Sequence, residues 1–179
     1  LLGIECSILE VQKLGWFLER GVKRFGGSDA LKFRFQANKY GPYSHNLTKL
    51  LDSLDGSYLR CDKRLADADP LDLIWFNDAK YDRVQAYLNS GEGKQFSSVL
   101  EWASATIDGF ESPLGMELLA TVDWMMQHDD IEPTVEGVME GLKDWAGGEV
   151  AGQRKLKIFD RRLVAIALGQ LQTSNRLPA

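Results

Sequence analysis

Residues 32–54, KFRFQANKYGPYSHNLTKLLDSL, change hydrophobic period halfway along, and the rest of the chain is read outward from that joint. Leu31, Phe33, Phe35 and Ala37 alternate with Lys32, Arg34, Gln36 and Asn38, the period of two that a strand with one buried face produces. Leu47, Leu50, Leu51 and Leu54 recur at helical spacing instead, so Ser44 to Leu54 is expected as an amphipathic helix stopped by Asp55 and Gly56. Tyr40, Gly41, Pro42 and Tyr43 lie between the two. Glycine takes a positive φ at little cost and proline fixes φ near the value a helix start needs, so these four read as a helix-entry turn with an aromatic plug.

Upstream, Ser7 and Glu10 fit a capping box that starts a helix. Ile8, Val11, Leu14, Leu18, Val22 and Phe25 form its apolar stripe, and Gly26 and Gly27 end it. Trp16 projects almost opposite that stripe, among Lys13, Arg20, Lys23 and Arg24. A helix sandwiched on two sides, with basic stems covering the indole, accounts for this better than a nucleic-acid patch.

Downstream, Ser57 to Arg60 and Leu71 to Phe76 are strand candidates that could join Leu31 to Ala37 in a small antiparallel sheet. Asn77 can cap a helix carrying Val84, Tyr87 and Leu88 inward. Phe96, Val99, Leu100, Ala103 and Ile107 mark another, closed at Gly109. Ser112 and Pro113 then open a helix that is apolar around most of its circumference from Leu114 to Met126, the mark of a buried element. Pro133 and Thr134 begin a helix bearing Val135, Val138 and Leu142, Phe159 to Leu171 is a last one, and Arg176 to Ala179 is expected to fray. The sum is an α+β, mainly α fold, with about seven helices around one core and a small antiparallel sheet, in one domain spanning 1–179.

The 179 residues are 44% hydrophobic and 26% charged, an ordinary globular composition. No apolar run approaches the roughly 18 residues of a membrane helix and no signal-peptide pattern opens the chain, so a cytoplasmic location is expected. Leu1 in place of Met suggests a piece of a longer polypeptide. The net charge of −5 is unevenly spread: Asp108 to Asp144 holds 10 acidic side chains against Lys143 alone, while Trp145 to Ala179 holds 2 acidic and 6 basic.

Chemistry-bearing patterns are sparse. Cys6 and Cys61 lack metal-knuckle spacing and read as reduced thiols; His45 reads as an exposed or capping imidazole, and His128 beside Asp129 and Asp130 as a solvated helix end. The run GEGK at 91–94 lacks the flanking Gly and Ser or Thr of a phosphate loop, Ser112 lacks a nucleophile elbow, and no GxGxxG occurs. No catalytic, cofactor-binding or metal-binding residue is expected.

Three ordered motifs carry a resemblance: EVQKLGWFL at 10–18, KYGPYSHNL at 39–47 and FESPLGMELLATV at 110–122. Together they resemble the C-terminal domain of the bacterial antitoxin DarG, and the YGP element is similar to the broader Panacea antitoxin domains. The resemblance implies a neutralising domain whose N-terminal macrodomain is absent from this chain. Its partner would be a DarT-like toxin that ADP-ribosylates thymidine in single-stranded DNA. The segment is then expected to be no enzyme itself and to occlude the toxin's DNA groove with an acidic, DNA-mimicking surface. Tyr40, Tyr43, Glu111, Glu117, Asp123, Asp129, Asp130, Glu132, Glu136 and Glu140 would be the partner contacts. No cofactor, small-molecule substrate, membrane or direct nucleic-acid partner is expected. The alternative is a nucleic-acid-binding accessory module that delivers modified DNA to a fused macrodomain.

Overall fold

A computed structural model describes residues 5–27 and 31–176. Helix α1 (Ile8–Arg24) begins as its sequence dictates: Ser7 Oγ accepts from the Glu10 N–H at 3.3 Å, and the Glu10 carboxylate accepts from the Ser7 N–H at 2.7 Å. The face it buries is rotated from the expected stripe. Leu9, Gln12, Lys13, Trp16 and Phe17 are buried, whereas Val11, Leu14, Leu18 and Phe25 are half-buried. A helix packed on both sides has no single apolar stripe, and polar side chains with internal partners share its interior.

The expected strand from Leu31 to Ala37 shrinks to β2 (Gln36–Asn38). Lys32 (φ 50°) and Arg34 (φ 55°) are in the left-handed region, which interrupts the extended backbone, although Phe33 stays buried between two exposed cations. β2 pairs antiparallel with β3 (Gly41–Tyr43) in the register Ala37 opposite Pro42. The YGP element is therefore the tip and returning strand of a hairpin, not a helix-entry turn. Only after it does Ser44 cap α2 (His45–Leu54), its Oγ accepting from the Leu47 N–H at 3.1 Å. Gly41 is at φ +93°, and a Cβ there would lie 2.9 Å from Thr121 Oγ1, so both its conformation and its closeness to the next helix layer require glycine.

The second sheet has the order β1 (Cys6–Ser7), β5 (Leu73–Phe76), β4 (Leu59–Cys61), all antiparallel. Its third strand comes from the chain before α1 and not from 31–37. Helices α3 (Tyr81–Leu88), α4 (Gly91–Lys94), α5 (Ser97–Ile107), α6 (Pro113–His128), α7 (Val135–Gly141), α8 (Glu149–Ile158) and α9 (Arg161–Asn175) complete nine among the described residues, against about seven expected. The mainly α, α+β architecture stands. On α3, Tyr87 points outward, 49% exposed, instead of inward.

The core forms around α6, where every residue from Met116 to Met125 is buried after a Ser112 cap and a first-turn Pro113. Trp16 and Phe17 from α1, Trp102 from α5, and Phe159, Val164 and Leu171 from the C-terminal part pack on it. A smaller cluster of Phe33, Leu47 and Leu51 lies under the hairpin side. Cys6 and Cys61 are free and half-buried. No helix among the described residues is long and apolar enough to cross a membrane. Of the segment expected to fray, 177–179 lies outside the described residues.

Candidate functional site

The hairpin forms one wall of a cavity of about 420 Å³ whose other walls are α1, α2 and the 3₁₀ turn Leu65–Asp67. Apolar Ile8, Leu9, Leu51 and Leu65 line it together with polar Lys13, Asn38, Lys39, Tyr43 and Asp52, a concave mixture typical of small-ligand sites. Its walls are fixed by side chains of α1. The Gln12 Oε1 accepts from the Ser44 N–H at 2.9 Å, while its Nε2 donates to Ser44 O at 3.1 Å and Thr48 Oγ1 at 3.0 Å. The Lys13 Nζ donates to Pro42 O at 2.8 Å, and Trp145 Nε1 to Asn38 O at 3.0 Å, so both hairpin strands are pinned to the core.

Behind the hairpin runs a buried charge network. Glu117 Oε1 on α6 accepts from Arg154 Nη1 at 2.6 Å and Lys155 Nζ at 2.7 Å, both on α8. The Lys155 ammonium is fully buried and lies 5.2 Å from the Trp145 ring centre and 5.4 Å from that of Phe159. Burial lowers the Lys155 pKa against the opposing pull of Glu117. Burial also pushes Lys13 down to about 7, with repulsion from Lys155 adding to the shift and Glu117 opposing it. At the cavity wall the Lys13 ammonium thus holds its proton less firmly than that of a lysine in water.

The two tyrosines expected as contacts do border this region. The Tyr40 ring is flanked by Lys39 Nζ and by the Arg154 guanidinium, each 4.9 Å from its centre. Tyr43 donates or accepts at Thr48 Oγ1 (2.9 Å) and meets His45 edge-on. The acidic residues do not act as one surface. Glu117 and Asp123 are 2% and 1% exposed and serve as internal counter-ions, Asp123 Oδ2 accepting from Trp16 Nε1 at 2.8 Å and Arg20 Nε at 3.1 Å. Glu136 pairs with Arg161 and Glu140 with Lys143 at the surface. Glu111, Asp130 and Glu132 are exposed; Asp129, its carboxyl raised by partial burial against the His128 charge, borders a shallow hollow with Glu132 and Glu140. Among the described residues no group of three or more His, Cys, Asp or Glu could hold a metal ion. Nor is the Trp16 surface patch formed, since Trp16 and Lys13 are buried and Arg20 is committed to Asp123.

Sequence reasoning missed Lys13, Gln12 and Asp52 as cavity groups and Arg154 and Lys155 as partners of Glu117. The available signal was the basic stretch after Trp145, opposite in sign to the acidic third before it.

Comparison with known proteins bears on what such a site does. No family model matches the chain. It is similar to a DNA ADP-ribosyl glycohydrolase of Thermus aquaticus, 29% identical over 173 residues, covering 97% of this chain and 41% of the relative. DNA ADP-ribosyl glycohydrolases of Mycobacterium bovis and Mycobacterium tuberculosis are each 26% identical over 170 residues, covering 92% of the chain and 44% of their own length. The chain thus spans less than half of the curated relatives it matches.

Those relatives carry an enzyme's name, and it corrects several expectations at once. The antitoxin-domain identification, toxin neutralisation by DNA mimicry, the absence of enzymatic function and the absence of a nucleic-acid partner all conflict with relatives named for hydrolysis of ADP-ribosyl groups on DNA. The alternative of a DNA-delivering accessory module does not match that name either.

Proposed function

We propose that this chain takes part in the hydrolysis of ADP-ribosyl groups from DNA. The observation that carries this is the similarity to three DNA ADP-ribosyl glycohydrolases along 92–97% of the chain. The hairpin cavity supports it, because its volume of about 420 Å³ is that of a small-ligand site and it brings a carboxylate, Asp52, and an amine, Lys13, to one hollow. In that reaction a water oxygen bonds to the anomeric carbon, the bond from that carbon to DNA breaks, and the leaving atom gains a proton. Asp52 is the cavity's carboxylate and the candidate to take the water proton. Lys13, with its pKa near 7, is the candidate to supply one to the leaving atom.

Release of ADP-ribose from an ADP-ribosylated oligonucleotide, followed chromatographically, tests the proposal. The wild-type chain is expected to release it, and Asp52→Asn to lower kcat by about 100-fold or more with little change in KM, the usual weight of a general base. Absence of release by the wild-type chain, or equal rates for both proteins, contradicts the proposal.

A further inference from the structure

Further along α1, toward its C-terminal end, a second cleft of about 460 Å³ brings Lys23, Lys32 and Arg34 together with Phe35 and His128. Its one acidic lining residue, Glu19, is already engaged: Oε1 takes the Lys23 Nζ at 3.4 Å, and Oε2 accepts the Phe33 N–H at 3.1 Å. The lining charges therefore sum to a positive balance on a protein whose net charge is −5. A local field of this sign on an acidic molecule selects a phosphate-bearing partner.

The backbone supports a built site. Lys32 and Arg34 both adopt positive φ, a conformation disfavoured for side chains with a Cβ, while Phe33 between them is anchored in the small apolar cluster. The kinked segment is held by Asn46 Nδ2 donating to Lys32 O at 3.0 Å and by the Ser44 hydroxyl donating to Phe33 O. The result is that alternate residues of one short segment both expose cations. At the other wall the exposed His128 ring lies parallel on Trp124, 3.9 Å between centres and 8° between planes. A flat base laid on the outer face of His128 would extend an existing stack.

We infer that this cleft binds a single strand of DNA, its phosphates on Lys23, Lys32 and Arg34 and a base stacked on His128. The cations of two separate segments face one cleft and can each meet a phosphate of one strand, and stacking on an exposed ring requires a base freed from a duplex. The choice of DNA rests on the proposed glycohydrolase function; the cleft's charge and ring geometry do not.

Fluorescence anisotropy of a labelled, unmodified single-stranded oligonucleotide across a salt series tests it. The wild-type chain is expected to bind, and the double variant Lys32→Glu, Arg34→Glu to bind at least about tenfold more weakly, with a salt slope smaller by about 1.4, roughly 0.7 for each phosphate no longer neutralised. His128→Ala is expected to weaken binding about fivefold or more with the slope unchanged. Lys94→Glu, on the exposed α4, serves as the charge-matched control and is expected to bind as wild type. Circular dichroism and Tm confirm that each variant folds; all of these side chains are exposed. Failure of the wild type to bind, or equal affinity of the double variant and Lys94→Glu, overturns the cleft whatever the release assay gives. Binding that depends on Lys32 and Arg34 without ADP-ribose release supports the cleft and contradicts the glycohydrolase proposal alone.

Discussion

Lys13 illustrates how much a single residue's setting changes its chemistry. Its side chain occupies a site 2% exposed, with Nζ on the Pro42 carbonyl, and burial followed by Lys155 repulsion brings its pKa from the ordinary 10.5 to about 7. Between those two values the unfolded chain holds a proton that the folded chain has released, so stability must rise with pH across that window and Lys13 contributes no slope below it. Lys155, also lowered by burial, acts in the same direction, whereas Glu117 limits both shifts. The urea midpoint is therefore expected to be higher at pH 9 than at pH 7, and Lys13→Met to flatten that rise. Equal pH slopes for the two proteins would show that Lys13 is not buried as a titrating amine. From sequence, Lys13 reads as one of several surface cations on α1, because a lysine on an amphipathic helix normally extends its head into water. Its partner, the Pro42 carbonyl, is 29 residues away and no local pattern reveals it.

Among the elements, those with local start signals were legible. Ser7 with Glu10 and Ser112 with Pro113 mark α1 and α6 and cap them as read, whereas Ser44, read as the first residue of α2, is its N-cap. The expected strand at 31–37 is interrupted where Lys32 and Arg34 turn left-handed on either side of Phe33, which packs into the small apolar cluster, an arrangement no local propensity signals. Helix α8 was illegible for a different reason: its buried face is Ala151, Gly152 and Lys155, which makes no apolar stripe. At Gly152 α8 lies close against its neighbour, since a Cβ there would be 2.5 Å from Leu142 O. Without α8, the Arg154 and Lys155 side of the site could not be read. That helix is docked by the Glu117 carboxylate, so Glu117→Gln leaves the buried Lys155 charge without its counter-ion. A loss of about 3 kcal/mol in unfolding free energy is expected, in the range for breaking a buried pair from one side. A change near zero in chemical denaturation would contradict the docking role.

At the scale of the whole molecule, two side chains of the acidic third, Glu117 and Asp123, turn inward as counter-ions, and the other eight stay at the surface. The basic stretch that follows supplies Arg154 and Lys155 to Glu117 and Arg161 to Glu136, while Asp123 pairs with Arg20 of α1. An acidic hollow near Glu132 and a cationic cleft at Lys32 and Arg34 adjoin at Asp129 and His128, and the hairpin cavity shares no lining residue with either. Under the proposed function the hairpin cavity is where an ADP-ribosyl group on DNA is processed. Ala66 lines that cavity from an exposed turn, so Ala66→Trp can fill it without disturbing the core. The most direct measurement is the single-turnover rate of ADP-ribose release from an ADP-ribosylated oligonucleotide, compared for the wild-type chain and Ala66→Trp at matched Tm. A fall of about tenfold or more is the predicted result; equal rates, with Ala66→Trp shown to occupy the cavity, would contradict the claim.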